Sequence, residues 1–177
     1  MISIGDVAPS FQLQDTNGQP HEPGGAAATV VVFTCNHCPY ALAWHDRLVA
    51  VARDYADRDV RLLAVNSNDT AIQPGDSFEA MKQRVEDGEL GPVPYLRDES
   101  QAVARQFGAE TTPDVFVLDA DLRLRYRGAP DDDYDDPSRE ASYLRQALDA
   151  VLAGHDPDPA TTTPVGCTIK WSPEAGR

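Results

Sequence analysis

Apolar residues recur along the chain with two periods, and the pattern predicts alternating strands and helices. Thr29–Phe33 is an uninterrupted apolar run rich in β-branched residues, which is typical of a strand buried on both faces. Tyr40–Tyr55 carries apolar residues at helical spacing, and Val60–Asn66 forms the next strand. A strand, a helix and a strand in this order predict that the two strands run parallel.

Capping and turn residues mark the remaining elements. Asp76, followed three residues later by Glu79, resembles a capping box that begins a helix ending near Glu86. Residues 11–20 alternate and then turn at Asn17-Gly18, a strong signal for a two-residue hairpin turn. The other predicted elements are an extended piece at Pro94–Arg97, a helix at Ser100–Phe107, an antiparallel hairpin of Pro113–Asp119 with Arg123–Arg127, and a helix at Glu140–Leu152.

The chain length and the order of elements indicate one α/β domain. Its 177 residues are enough for one full hydrophobic core. We expect the domain to span residues 1–153, and residues 154–177 to form a C-terminal arm whose apolar end packs on the domain. The acidic run at residues 131–136 lacks the ligand spacing of a calcium loop and is predicted to be a solvated loop.

Charge and composition exclude some classes of function. The formal net charge of −14 argues against binding to nucleic acid or to an anionic membrane through electrostatics. The first residues show no basic region followed by an apolar run, and no stretch approaches the ~20 apolar residues of a membrane helix. We therefore expect a cytoplasmic protein, in which three cysteines do not indicate a structural disulfide framework.

The motif that carries chemistry is Cys35-Asn36-His37-Cys38, which lies between the first apolar strand and the first long helix. Backbone N–H groups and the helix dipole stabilise a thiolate at such a junction. This position predicts dithiol–disulfide exchange, with Cys35 as the exposed nucleophile and Cys38 as the more buried resolving thiol. Asn36 and His37 would tune the pair, since protonated His37 adds a cation that favours a more oxidising potential. The alternative is that His37 points into solvent.

Zinc binding is the alternative interpretation of the cysteine pair. A closed zinc site needs two more nitrogen or sulfur ligands, which Cys167 and one of His21, His45 or His155 could supply. Because no second Cys-x-x-Cys and no pair of histidines is present, we expect no metal. Exchange chemistry requires no organic cofactor either.

Four motifs over residues 3–153 make the chain resemble the thioredoxin-like redoxins, within the broad class of alkyl hydroperoxide reductases and thiol-specific antioxidant proteins. The C-terminal Gly166–Trp171 resembles the tail of a small subgroup. The resemblance implies a three-layer thioredoxin-like α/β fold, with a mixed central sheet, helices on both faces and an N-terminal β-hairpin extension. The motifs are Asp6-Val-Ala-Pro-Ser-Phe11, Cys35-Asn-His-Cys-Pro39, Pro74-Gly-Asp-Ser77 and Thr111-Thr-Pro-Asp-Val-Phe116.

The resemblance also implies a segment that faces the substrate. In thioredoxin folds a cis-proline opens the strand opposite the cysteines, and the backbone of the preceding residue pairs with a substrate peptide. Pro113 matches that proline and Thr112 matches its neighbour. An ordinary trans-proline at the start of a strand is the alternative. The implied partners are protein or small-molecule disulfides or dithiols and an external thiol reductant system.

Three departures from related families limit the function. Peroxiredoxins carry Pro-x-x-x-Thr-x-x-Cys, which fits neither Cys35 nor Cys38, so a thiol peroxidase using Cys35 is only the alternative. A copper-binding chaperone of the Sco type is more distant, because the cysteine spacing is one residue short and the expected histidine is missing. The buried aspartate that precedes the cysteines in thioredoxin is absent as well, which leaves the proton acceptor for Cys38 unidentified.

The third cysteine, Cys167, lies in the C-terminal arm, more than a hundred residues from the pair. If the arm folds back, this thiol could receive the disulfide and pass oxidising equivalents onward. The alternative is a free thiol with no redox role.

Overall fold

The computed structural model describes residues 1–173 and contains a five-stranded mixed sheet. In chain order its elements are β1 (Leu13–Gln14), β2 (Pro20–His21), β3 (Ala28–Phe33), α1 (Pro39–Asp54), β4 (Val60–Asn66), α2 (Phe78–Glu86), β5 (Tyr95–Arg97), α3 (Ala102–Phe107), β6 (Thr111–Thr112), β7 (Asp114–Asp119), β8 (Leu124–Gly128), α4 (Ser142–Leu152) and β9 (Cys167–Thr168). Single turns of 3₁₀ helix lie at Ala56–Arg58 and Pro74–Asp76. The central sheet has the order β5-β4-β3-β7-β8. As predicted, β3 and β4 are parallel, and β7 and β8 form an antiparallel hairpin.

The central strand β3 is buried on both faces, as its uninterrupted apolar sequence predicts. Val30 and Val32 pack into the cluster that contains residues of α1, α2 and α4. Val31 and Phe33 point the other way, toward α3 and the N-terminal segment. Fully burying each such side chain contributes about 1.5–3 kcal/mol. Helices on both faces of a mixed sheet confirm the three-layer fold.

Helix α1 carries the second cysteine at its N-terminus. It begins at Pro39, which suits the first helical position because its missing N–H has no helical partner there. Cys38 is the N-cap residue. The helix is fixed by a buried face that includes Trp44, Leu48 and Val51. Packing of this face against the sheet therefore sets the position of Cys38.

The start of α2 differs from the prediction. The helix begins at Phe78, and the cap is Ser77, whose hydroxyl accepts a hydrogen bond from the backbone N–H of Ala80 at 3.1 Å. The predicted capping role of Asp76 was wrong. Asp76 lies one residue too early, and its fully buried carboxyl group binds the chain around the cysteine pair instead.

The predicted N-terminal hairpin is present as β1 and β2, but its turn was predicted wrongly. Gln14 pairs with Pro20, so five residues connect the strands instead of two. The Asp15 carboxylate organises this wider turn by accepting the backbone N–H groups of Asn17 and Gln19, at 2.8 and 3.0 Å. Asp15 also forms an isolated bridge to Leu96 of β5.

The acidic run at residues 131–136 is more ordered than a solvated loop. Asp131 is 1% exposed and accepts the indole N–H of Trp44 at 2.7 Å. Arg47 contacts the same carboxylate at 2.9 Å and donates to three backbone carbonyls of the run. The prediction was therefore wrong for Asp131, which anchors the loop on α1, whereas Asp132 and Asp135 are exposed.

The C-terminal arm runs back across the domain. Thr161 forms a parallel bridge to Arg127 of β8, and β9 then pairs antiparallel with β6. Ile169 is 2% exposed and joins the core cluster beside α3. Within residues 1–173, no helix combines the length and apolar character needed to cross a membrane.

Candidate active site

The cysteine pair lies at the carboxyl edge of the parallel strands β3, β4 and β5, where ligands bind in open α/β sheets. Cys35 and Cys38 are both free thiols, and each is only 1% exposed. The expectation that Cys35 is exposed was wrong. Its sulfur is covered because Thr112 contacts it directly and Cys167 of the arm packs on the same cluster.

Thr112 contacts both sulfurs. The Cys38 thiol donates a hydrogen bond to the Thr112 carbonyl at 3.2 Å, and the Cys35 sulfur lies 3.3 Å from the Thr112 hydroxyl. The Thr112–Pro113 peptide bond is cis. The structure therefore brings together the cysteine pair and the substrate-facing segment that the sequence resemblance implied.

Asn36 holds the loop between the cysteines through its side-chain amide and its backbone N–H. Its side-chain oxygen accepts the Tyr95 hydroxyl at 2.7 Å and Arg84 at 3.2 Å. Its side-chain nitrogen donates to the Gly75 carbonyl at 3.0 Å, and its backbone N–H donates to Asp76 at 2.7 Å. Burial raises the pKa of Tyr95, which keeps its hydroxyl proton available for Asn36. Asn36 thus positions the cysteine loop.

Asp76 is the buried acid of the site. Its carboxyl oxygens accept the backbone N–H of Asn36 at 2.7 Å and the side-chain amides of Asn66 at 3.1 Å and Asn68 at 2.8 Å. The ring Nδ1 of His37 lies 2.9 Å from the second oxygen. These contacts place a fixed acidic group directly beside the loop that carries Cys35.

The ring Nδ1 of His37 faces this acid, and 34% of the side chain is exposed to solvent. Its Nδ1 is buried, and the contact with Asp76 lacks the alignment of a hydrogen bond within the described part of the chain. The same nitrogen lies within 4.8 Å of the Cys35 sulfur. A protonated His37 is therefore shared between Cys35 and a carboxyl group of opposite charge, which reduces the cationic influence that the sequence predicts for it.

The two thiols of the pair perturb each other. The pKa of Cys35 is raised, first because its proton is held in a hydrogen bond with Cys38 and second by burial, with a smaller contribution from the charge of Asp76. The pKa of Cys38 is lowered by that hydrogen bond, against the effect of burial and with further help from Cys167. When the pair loses one proton, the charge therefore rests mainly on Cys38.

Three side chains could together hold a metal ion. The Cys35 sulfur, the His37 Nδ1 and a carboxyl oxygen of Asp76 all lie within 4.8 Å of one another. The zinc alternative with a more distant histidine is not assembled in the described residues. A metal at this place would have to compete with the N–H donors that already bind Asp76.

Asp76, Asn66 and Asn68 were missed as site residues by the sequence reasoning. A usable signal existed, since Asn66 ends a predicted parallel strand and Asn68 lies two residues beyond it. Asp76 lies in the motif Pro74–Ser77, but its similarity to a helix cap concealed its role. Tyr95 gave no comparable signal, because an aromatic residue in a short strand is usual in a core.

Residues 3–146 match the model of the Redoxin family. The chain belongs to the Redoxin family. No match was found among curated proteins. Membership of this family indicates an oxidoreductase in general.

Solved structures similar to this redoxin extend over nearly its whole length. An uncharacterized conserved protein from Geobacillus kaustophilus is 38% identical, with a TM-score of 0.91 over 98% of this chain and 94% of that one. A hypothetical protein from Sinorhizobium meliloti 1021 is 35% identical, with a TM-score of 0.90 over 98% and 97%. A secreted disulfide oxidoreductase from Mycobacterium tuberculosis is 17% identical, with a TM-score of 0.57 over 81% and 95%, and shares the fold alone.

Proposed function

We propose that this redoxin catalyses dithiol–disulfide exchange, with Cys35 as the nucleophile and Cys38 as the resolving thiol. The observation that carries the proposal is the contact of both sulfurs with Thr112, at 3.3 Å and 3.2 Å. Two thiols held against one backbone segment are placed to form a disulfide with each other. Protein or small-molecule disulfides are the proposed substrates.

The opposite shifts in the pKa values of the two thiols support a sequence of steps. With Cys38 as the thiolate of the pair, Cys35 attacks one sulfur of a substrate disulfide, its proton passes to the Cys38 sulfur, and the other substrate sulfur leaves as a thiolate. Cys38 then gives this proton to the leaving group or to water and attacks the mixed disulfide at Cys35. The substrate departs as a dithiol, and the Cys35–Cys38 disulfide remains, so two electrons have moved from enzyme to substrate. An external thiol reductant system returns the enzyme to its dithiol form.

Insulin reduction with dithiothreitol as the reductant tests this proposal. The protein should accelerate precipitation of the insulin B chain, and Cys35→Ser and Cys38→Ser should each reduce the rate to that of dithiothreitol alone. Cys38→Ser should also accumulate a mixed disulfide at Cys35, because the resolving thiol is missing. The mass of the trapped species reports this difference between the two variants.

A peroxide assay separates exchange from the peroxidase alternative. The wild type should consume hydrogen peroxide little faster than Cys35→Ser does. The difference between the two rates should not exceed the rate at which an ordinary thiol reacts with peroxide. Rapid peroxide consumption without insulin reduction would contradict exchange and would identify a thiol peroxidase.

The trapping experiment has its own contrary outcome. A mixed disulfide that accumulates on Cys35→Ser and not on Cys38→Ser would reverse the two cysteine roles.

A further inference from the structure

The C-terminal arm brings Cys167 to the cysteine pair by backbone pairing. The register of β9 on β6 sets Cys167 opposite Thr112, whose carbonyl accepts the hydrogen bond from Cys38. The Cys167 side chain packs on the cluster formed by Cys35, Cys38 and Ala41. The arm therefore occupies the strand edge that the family resemblance assigns to a substrate peptide, and it presents a thiol there.

Gly166 shows how closely the arm approaches. A Cβ atom on this residue would collide with the backbone carbonyl of Thr112. Backbone atoms have little freedom to yield, so a larger residue at this position would lift the arm from β6. Glycine directly before Cys167 is what permits the thiol to reach the pair.

The chain on the far side of Cys167 is anchored as well. Ile169 is buried in the core, and the backbone N–H of Lys170 donates to the side-chain oxygen of Asn68 at 2.9 Å. The Lys170 carbonyl accepts the side-chain amide of Gln101 at 2.8 Å. Asn68 also donates to Asp76, so the arm and the acid beside Cys35 share a residue. These contacts hold Cys167 in place from both sides.

The ionisation of Cys167 depends on the state of the pair. Burial raises its pKa to about 11, and the hydrogen bond and charge of Cys38 contribute to the increase. Once Cys38 is part of a disulfide it carries no charge, and that contribution disappears. Cys167 therefore forms its thiolate more readily when Cys35 and Cys38 are oxidised.

We propose that Cys167 is a third redox thiol, which attacks Cys38 in the Cys35–Cys38 disulfide. The inference rests on the exchange function proposed above, which supplies that disulfide. The Cys167–Cys38 bond forms while the Cys35–Cys38 bond breaks, and Cys35 leaves with the electron pair and takes up the proton that Cys167 released. One disulfide replaces another, so no oxidant or reductant is consumed. The product fastens the arm across β6 and returns Cys35 to the thiol form.

Disulfide mapping of two matched variants tests the proposal. Trypsin places Cys38 in the peptide 1–47 and Cys167 in the peptide 146–170. After brief treatment with oxidised glutathione and acid quenching, Cys35→Ser should yield these two peptides joined by a disulfide. Cys38→Ser should yield the corresponding Cys35–Cys167 product at least about tenfold more slowly, a difference of about 1.4 kcal/mol in activation free energy. The wild type should contain the joined peptides in equilibrium with the disulfide internal to peptide 1–47.

Gly166→Ala, in the Cys35→Ser background, tests whether docking of the arm is responsible. It should slow the formation of the joined peptides about tenfold, while a melting curve shows that the domain stays folded. Glutathione adducts without joined peptides in Cys35→Ser, equal rates in Cys35→Ser and Cys38→Ser, or no effect of Gly166→Ala would each overturn the proposal. Joined peptides in a protein that fails to reduce insulin would contradict the exchange function instead.

Discussion

Replacing Asp76 by asparagine should lower the pKa of the Cys35 thiol. The carboxyl group is fully buried, and one of its oxygens lies within 4.8 Å of the Cys35 sulfur. Its negative charge opposes ionisation of that sulfur and contributes to the raised pKa. Asparagine keeps the shape and can still accept the backbone N–H of Asn36, but it removes the charge.

The distance sets the size of the effect. Two unit charges at 4.8 Å interact by about 3 kcal/mol when the effective dielectric constant is about 20. A change of about 1.4 kcal/mol corresponds to one pKa unit. Because the hydrogen bonds from Asn36, Asn66 and Asn68 offset part of the Asp76 charge, we expect the pKa of Cys35 to fall by about 1 in the variant. The replaced hydrogen bonds should cost about 1–3 kcal/mol of stability.

The assay is alkylation by iodoacetamide as a function of pH, in a Cys38→Ser, Cys167→Ser background where Cys35 is the only thiol. The midpoint of the rate profile reports the pKa of Cys35. Glu79→Gln is the matched control, since it removes the same charge from an exposed position on α2. The midpoint for this control should stay within about 0.2 pH units of the midpoint for the parent protein, because exposed charges are screened.

A midpoint for Asp76→Asn that stays at the parent value, or rises, would refute the electrostatic assignment. A downward shift of equal size in Glu79→Gln would do so too, since net charge and not the buried contact would then explain it. Urea unfolding of each variant establishes that the midpoints refer to folded protein.

Three further predictions concern other contacts. His37→Gln removes a cation source beside the thiols, so the reduction potential measured against glutathione should fall by about 10–30 mV, and an unchanged or higher value would be contrary to this reasoning. Asp131→Ala leaves Arg47 buried without its partner and should cost about 3–5 kcal/mol in urea unfolding, whereas a loss below about 1 kcal/mol would show the pair to be dispensable. Tyr95→Phe removes the hydrogen bond to Asn36 and should cost about 1 kcal/mol, while an equally stable variant would argue against that contact.

The layered fold was predictable because its signals are local. The uninterrupted apolar run of β3 and the helical spacing of α1 depend only on neighbouring residues, and both elements were predicted within one or two positions of their observed bounds. The turn after β1 was missed because Asp15 organises five residues, which the Asn17-Gly18 signal alone does not reveal.

The residues of the site could be predicted from the sequence only where they lie together in one continuous segment. Cys35 and Cys38 are recognisable from their position between a strand and a helix. The burial of Cys35 was missed because it arises from Thr112 and Cys167, which are distant in sequence. Asp76 was missed because it resembles a helix cap and because its contact with Asn36 joins positions 40 residues apart.

Other segments of the chain pair with both edge strands of the central sheet, β5 and β8. The N-terminal hairpin meets β5 through the bridge from Asp15 to Leu96, and the arm meets β8 where Arg127 donates to Ala160 and accepts from Thr162. Edge strands with unpaired backbone groups are templates for the strands of other molecules. Removing the arm would therefore expose an edge strand that can pair with another molecule, and would uncover the two remaining thiols, Cys35 and Cys38. We expect the truncated protein to aggregate through strand pairing between molecules, and we expect disulfide cross-links between molecules to stabilise the aggregates.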